Sequence, residues 1–276
     1  MSPNFNTLLM KRLFLLVIAA ISAVTAVFSQ RFSDGTFTYQ VIGYDEVEVT
    51  YKDMNATAYY NQESKYSITT ANIPQSVYYQ GKSYKVTTIG KGAFYLCSLK
   101  ELTLPPTIKY IKESAFSLNS IGSLQLPSGL LELGEEAFSY NNFTSVDIPA
   151  SVFSIGKEIF KGCKNLQKIN VNKQNTMYCD VDGVLYTKNM SQLISYPQGC
   201  RNEVFTVPTG VNELLDYSCM KAYFSKIILP NTVTKIGNGC FRWCERLTEI
   251  VIPMTVRSIG CATFGECTSL RNVYLP

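Results

Sequence analysis

What most constrains this chain is that it copies itself. The stretch Ile236 to Pro253, IGNGCFRWCERLTEIVIP, serves as the template, and nearly everything between Val86 and Pro276 repeats it. Copies open at Ile89-Gly90, Ile111, Leu133-Gly134, Ile155-Gly156 and Ile259-Gly260, with a degenerate one at Leu214. The aromatic position is Phe94, Phe116, Phe138, Phe160, Phe241 and Phe264, replaced by Cys219 in the degenerate copy. Copies close on an apolar residue followed by Pro105, Pro127, Pro149, Pro208, Pro230, Pro253 or Pro276. These prolines fall 22 or 23 residues apart, save for one gap of 59 between Pro149 and Pro208. A unit this short cannot bury an apolar face alone, so the copies must stack around a shared core. Self-similarity at such a period marks a solenoid.

Within a unit, Leu102-Thr103-Leu104 alternates inward and outward as a strand does. Pro105 then ends the strand, because it has no N–H for the ladder. The small residue before the aromatic (Ala93, Ala115, Ala137) lets the chain turn closely against the next coil. The glycine after the opening isoleucine reads as a position of positive φ. Three residues after the aromatic stand Cys97, Asn119, Asn141, Cys163, Cys244 and Cys267. This row reads as a buried structural ladder. Asn would bond backbone groups of neighbouring coils, and Cys would pack as a small apolar residue.

The form I-G-x-x-A-F-x-x-C followed by L-x-x-I-x-I-P resembles the BspA-type leucine-rich repeat, over roughly residues 84–276. The expected fold is α/β: a right-handed leucine-rich-repeat solenoid with a parallel strand ladder, short helical or 3-10 turns, and an N-terminal β-hairpin cap. The resemblance also implies a secreted or surface-attached protein, since several members of that family act as adhesins for host matrix proteins or other microbes.

Three regions follow. Residues 1–29 read as a signal peptide: Lys11 and Arg12 precede an apolar run from Leu13 to Val27 that is short for a membrane span, and small residues follow. No cysteine near the cleavage site suggests a lipid anchor, so the expected localisation is secreted, extracellular or at the cell surface, with no membrane span in the mature chain. Residues 30–83 set Thr36, Thr38 and Gln40 in alternation with Phe37, Tyr39 and Val41 and read as a β-rich cap over the first coil. Residues 84–276 form the solenoid, with a hairpin-bearing long repeat at about 172–207. There Asp182-Gly183 signals a tight turn, with Val184-Leu185-Tyr186 and Gln192-Leu193-Ile194 as the expected strands. A similar D-G-V-L-Y insertion is common in BspA-type proteins.

Composition excludes more than it selects. Net charge is +4, and removing Lys11 and Arg12 with the signal leaves +2, which is no nucleic-acid footprint. The absence of histidine removes His triads, His general bases and His metal ligands together. Of nine cysteines, four lie on the ladder, and Cys240 and Cys244 fall on template positions and not on a zinc motif. Cys179 and Cys200 lie off the template and are candidates for a disulfide. Neither catalytic nor metal-binding residues are assigned, and no cofactor is expected.

The reading that remains is a monomeric binding or adhesion module that recognises a protein or glycan partner through the solenoid face. Its candidate residues are the outward row of the strands: Thr103, Gln125, Asp147, Asn170, Ile228, Val251 and Tyr274. This row is polar in early coils and turns apolar in late ones, and exposed apolar stripes mark interaction sites. The alternatives are a structural spacer within a larger surface protein and a secreted hydrolase. Against the latter, Glu135-Glu136 are adjacent on one turn and do not face each other across a cleft.

Overall fold

The computed structural model describes residues 30–53 and 65–275, so the segment read as a signal peptide lies outside the described residues. The repeats stack as a parallel-strand β-solenoid of about eight coils, each with two strand sides and one turn side.

The first strand side carries the opening isoleucine. Ile89, Ile111, Leu133 and Ile155 stand in parallel register, as do Leu193, Leu214, Ile236 and Ile259. The second strand side carries the segment before the proline. It forms three separate parallel sheets. Thr70–Asn72 pairs with Glu101–Thr103, and Ser145–Ile148 pairs with Lys168–Val171. Val204–Thr206, Lys226–Ile228, Glu249–Val251 and Asn272–Tyr274 make the third. Inward residues such as Ala71, Val146, Ile169, Ile227 and Ile250 are buried, so period-2 alternation is realised on their strands, whereas all of Asn272–Tyr274 is exposed.

The turn side corrects the sequence expectation: no helix occurs among the described residues, and the chain there is not α/β but all-β. The reason is a backbone alternation. Two residues before the aromatic, Gly92, Ser114, Glu136, Glu158, Tyr217, Gly239 and Ala262 all have φ between 52° and 60°. Two residues after it, Leu96, Leu118, Tyr140, Gly162, Lys221, Trp243 and Glu266 have φ between 54° and 75°. A helix tolerates no left-handed residue in its interior, and these come every fourth position. Each non-glycine among them costs about 1 kcal/mol or more. The compensation is a hydrogen-bond ladder between coils. The N–H groups of Gly92, Phe94 and Leu96 donate to the carbonyls of Glu113, Ala115 and Ser117 at 2.9, 2.8 and 3.0 Å. The intervening Ala93 and Tyr95 donate back within their own coil, to Gly90 and Gly92. The alternation therefore spends every other N–H on the next coil, and it recurs at Ser114, Phe116 and Leu118.

The glycine after the isoleucine also differs from expectation. Gly134, Gly156, Gly237 and Gly260 do not have positive φ. A Cβ at Gly156 would lie 2.3 Å from the backbone nitrogen of Glu135, and one at Gly134 would lie 2.5 Å from that of Glu113. The glycine is needed because successive backbones touch there.

Inside the coils the aromatics stack one above the next. Ring centroids of Phe94, Phe116 and Phe138 are separated by 5.3 and 5.2 Å, nearly parallel. Tyr66 closes the near end of this stack, 5.1 Å from Phe94. It belongs to an N-terminal cap in which Arg31–Ser33, Thr38–Val41 and Glu46–Thr50 form an antiparallel meander. The last of these strands pairs in parallel with Lys82–Ile89 and so takes the place of a coil. Phe32, Phe37, Tyr39, Val47 and Val49 are buried beneath it.

The long repeat holds a three-stranded meander. Asp182 and Gly183, with φ 52° and 80°, make the two-residue turn that right-twisted hairpins favour. That turn joins Tyr178–Val181 to Val184–Thr187, which corrects the expected place of the turn, while the expected strands Val184–Thr187 and Gln192–Ser195 do pair antiparallel. Gln192–Ser195 is the third strand, and it also starts the second half of the isoleucine ladder by pairing with Glu213–Leu214. Both ladders break at this meander. The Gly183 carbonyl accepts from Ile169 N–H, and the Tyr178 hydroxyl accepts from Ile155 N–H, so the broken edges are capped. The core divides here too: Leu185 packs with the first cluster, while Val184 and Tyr186 pack with the second.

Candidate binding face

Thr103, Gln125, Asp147 and Asn170 are all exposed, as are Ile228, Val251 and Tyr274 at 45%, 61% and 49%. They do not form one continuous row. Thr103 pairs with Asn72 on the first short sheet. Gln125 lies in a segment without strand pairing. Asp147 and Asn170 face each other on the second sheet, where the Asn170 amide donates to the Asp147 carboxylate at 2.8 Å. Ile228, Val251 and Tyr274 share the third sheet, with Thr206 beside Ile228 and Tyr274 opposite Val251. The apolar part of the row is therefore a compact stripe crossing three strands.

The Asn/Cys ladder is internal, with Cys97, Asn119, Asn141, Cys163 and Cys244 buried and Cys267 half-buried. Asn119 donates to the Phe94 carbonyl at 2.7 Å and accepts from the N–H groups of Cys97 and Leu99. Asn141 donates to Phe116 O and accepts from Ile121 N–H. The cysteines are not simply apolar fillers. Cys163 donates its thiol to Phe138 O at 3.3 Å, Cys244 to Cys219 O at 3.1 Å and Cys267 to Phe241 O at 3.0 Å. Each thiol thus reaches the same carbonyl of the preceding coil that the asparagine amide reaches. Burial pushes the Cys97 thiol up to about 11 and the Cys163 thiol up to about 12, and these groups stay protonated. Cys179 and Cys200 are both free and not bridged: Cys179 donates to Thr187 O, and Cys200 accepts from the Tyr196 hydroxyl. Among the described residues no group of three or more Cys, Asp or Glu side chains is placed to hold a metal.

A second surface feature was not found in the sequence. The segments leading from the aromatic turns into the last sheet enclose a cleft of about 300 Å³. Tyr223 and Trp243 line it, with Gln198 beside them. Arg201 and Arg246 stack on the Tyr223 ring, their guanidinium carbons 4.8 and 4.2 Å from its centre. Lys221 and Arg242 approach the Trp243 ring at 4.8 and 4.2 Å. Arg246 Nη2 also donates to both carboxylate oxygens of Glu203, at 2.8 and 2.9 Å. A signal was available: in the column two residues after the aromatic, the outward residues change from Leu96 and Leu118 to Lys221 and Trp243.

A family model for the BspA type leucine rich repeat region matches residues 87–183 and 196–276 in six copies. Among solved structures, a leucine-rich repeat protein from Eubacterium ventriosum is 24% identical, with a TM-score of 0.67 over 88% of this chain and 70% of that one. The pneumococcal vaccine antigen PcpA is 18% identical, with a TM-score of 0.63 over 90% of this chain and 82% of that one. No curated protein sequence matches significantly. Among the described residues no helix is long and apolar enough to cross a membrane.

Proposed function

Because the chain belongs to the BspA-type leucine-rich repeat family, we propose that it is a secreted or cell-surface adhesion module that binds a protein partner through the late strands of its second side. The observation that carries this is the stripe Ile228, Val251 and Tyr274, exposed side by side at positions where a coil requires only an outward residue. Packing does not call for apolar side chains there, and their contact with water is a cost that a partner would remove. Tyr274 adds a large rigid surface with a polar tip, the kind of residue that anchors interfaces. Lys226 and Glu249 flank the stripe and supply a polar rim. Secretion rests on the amino-terminal sequence and on the family resemblance.

The test is binding of the full chain to an array of extracellular matrix proteins and host glycans, compared with Val251→Ser/Tyr274→Ser. Loss of on the order of 2 kcal/mol, about thirtyfold in Kd, is expected without loss of fold. Unchanged binding by the double variant refutes the assignment.

A further inference from the structure

We propose that Cys219 and Cys240 are a disulfide-forming pair, and that the bond staples the first two regular coils after the meander when they fold in the presence of an external disulfide. The pair rests on neither the Ile228–Tyr274 stripe nor any binding partner.

The first observation is a double departure from the template. The aromatic column is Phe in each of the remaining coils and Cys only at Cys219. The column before it holds Ala, Ile, Ser or Thr elsewhere and Cys only at Cys240. The two exceptions fall in adjacent coils. A cysteine in place of Phe surrenders buried apolar area and weakens its coil unless something else holds it.

The second observation is placement. The Cys219 N–H donates to the Cys240 carbonyl at 3.1 Å. That sets the two Cα atoms about 5–6 Å apart, inside the roughly 4.4–6.8 Å that a disulfide spans. Both side chains are fully buried and are neighbours in the second core. Cys240 Sγ lies 3.4 Å from Ser218 Oγ, so it points back towards the coil that carries Cys219.

The competing pairs fit less well. Cys244 and Cys267 also stand in successive coils. Each aims its thiol at a carbonyl of the preceding coil, Cys219 O and Phe241 O, so the two point the same way and not at each other. Cys179 is likewise turned to Thr187 O, Cys200 sits under the Tyr196 hydroxyl, and Cys261 is exposed.

The oxidant is an external disulfide, oxidised glutathione or the disulfide of a thiol oxidoreductase. One thiolate attacks it and forms a mixed disulfide; the second displaces the remaining external thiol. The pair loses two electrons and two protons, and the external disulfide leaves as two thiols. In the folded protein burial, and next the Cys240 thiol, push the Cys219 thiol well above its ordinary range, and neither side chain is exposed. Exchange therefore belongs to folding, before the second core closes. The bond would close a ring of 22 residues, Cys219 to Cys240 inclusive.

The test is refolding. The full chain is unfolded in urea with dithiothreitol, then refolded with or without a mixture of reduced and oxidised glutathione. It is alkylated in denaturant and cut with trypsin. Cleavage puts Cys219 in peptide 202–221, Cys240 in 236–242 and Cys244 in 243–246, so peptide masses identify the pair. After refolding with glutathione, 202–221 should be joined to 236–242, and the other seven of the nine cysteines should be alkylated. The urea midpoint of the linked protein should lie about 1 M or more above that of the reduced protein. Cys240→Ala restores the alanine of the early coils and should show one midpoint under both conditions. Nine alkylated cysteines, 202–221 joined to any other peptide, or a linked protein no more stable than the reduced one would each overturn the proposal. So would a Cys240→Ala variant that gains as much from glutathione as the parent.

Discussion

The ladder position holds asparagine in some coils and cysteine in others, and the structure predicts that truncating the two has very different consequences. Consider Asn119→Ala. The side chain serves the Phe94 carbonyl at 2.7 Å, the Cys97 N–H at 3.1 Å and the Leu99 N–H at 2.9 Å. All three belong to residues that are 4% exposed or less, so water does not reach them readily. Asn119 also donates to Phe116 O, but that carbonyl keeps the Asn141 amide. Three buried backbone groups therefore lose their partner. At roughly 1–3 kcal/mol each, and allowing for relaxation, the loss should be about 4 kcal/mol. Now consider Cys163→Ala. The thiol serves only Phe138 O, which keeps the Asn141 amide at 3.0 Å. The loss is a weak donor and a sulfur's worth of packing, about 1 kcal/mol. Asn119→Cys is the discriminating variant. Its thiol replaces the bond to Phe94 O but leaves both N–H groups stranded, so it should recover only about 1 kcal/mol of the alanine loss. Urea denaturation followed by circular dichroism, with the m-value monitored, measures all three. The reasoning fails if Asn119→Ala and Cys163→Ala fall within about 1 kcal/mol of each other, or if Asn119→Cys matches the parent protein.

Two further predictions concern packing and pH. Gly156→Ala places a Cβ 2.3 Å from backbone and should destabilise by about 2–3 kcal/mol, whereas Gly122→Ala meets nothing within 4 Å and should be neutral; thermal melts separate the two. Burial raises the Cys97 and Cys163 thiols from 9.0 to about 11 and about 12, and the Tyr66 phenol from 10.0 to about 12. In each case the folded group binds its proton more tightly than the unfolded one. Stability is thus full below about pH 9 and falls as pH climbs from 9 towards 12. Tm measured from pH 8 to 11 should drop, and Cys163→Ser should flatten the drop; a flat profile in the parent protein refutes the assignment.

The sequence made the register of the repeats readable because the inward residues are chemically uniform: Ile, Leu and Phe recur at fixed offsets. The turn side was opaque for a physical reason. Left-handed backbone at Leu118, Glu158 or Trp243 is imposed by bonds to the neighbouring coil, not by residue type, so nothing local announces it. Glycine was ambiguous in the same way, because a close approach and a positive φ ask for the same residue. The strand Tyr178–Val181 carries Cys179 and Asp180 and lacks the continuous apolar run of its partner Val184–Thr187, which hid it. The cleft escaped because its cations come from separate coils, each at a position that is merely exposed within its own repeat. Aligning the columns brings Lys221 and Trp243 together, but their closeness to Arg201 depends on how the irregular long repeat folds.

The meander has a mechanical meaning. Its middle strand Val184–Thr187 is a partition wall: Leu185 faces one core, and Val184 and Tyr186 face the other. Both strand ladders stop at this wall, so tension applied along the stack meets two springs in series and not one rod. A solenoid built this way would yield under a pull in two increments, one compartment opening while the other still holds its load.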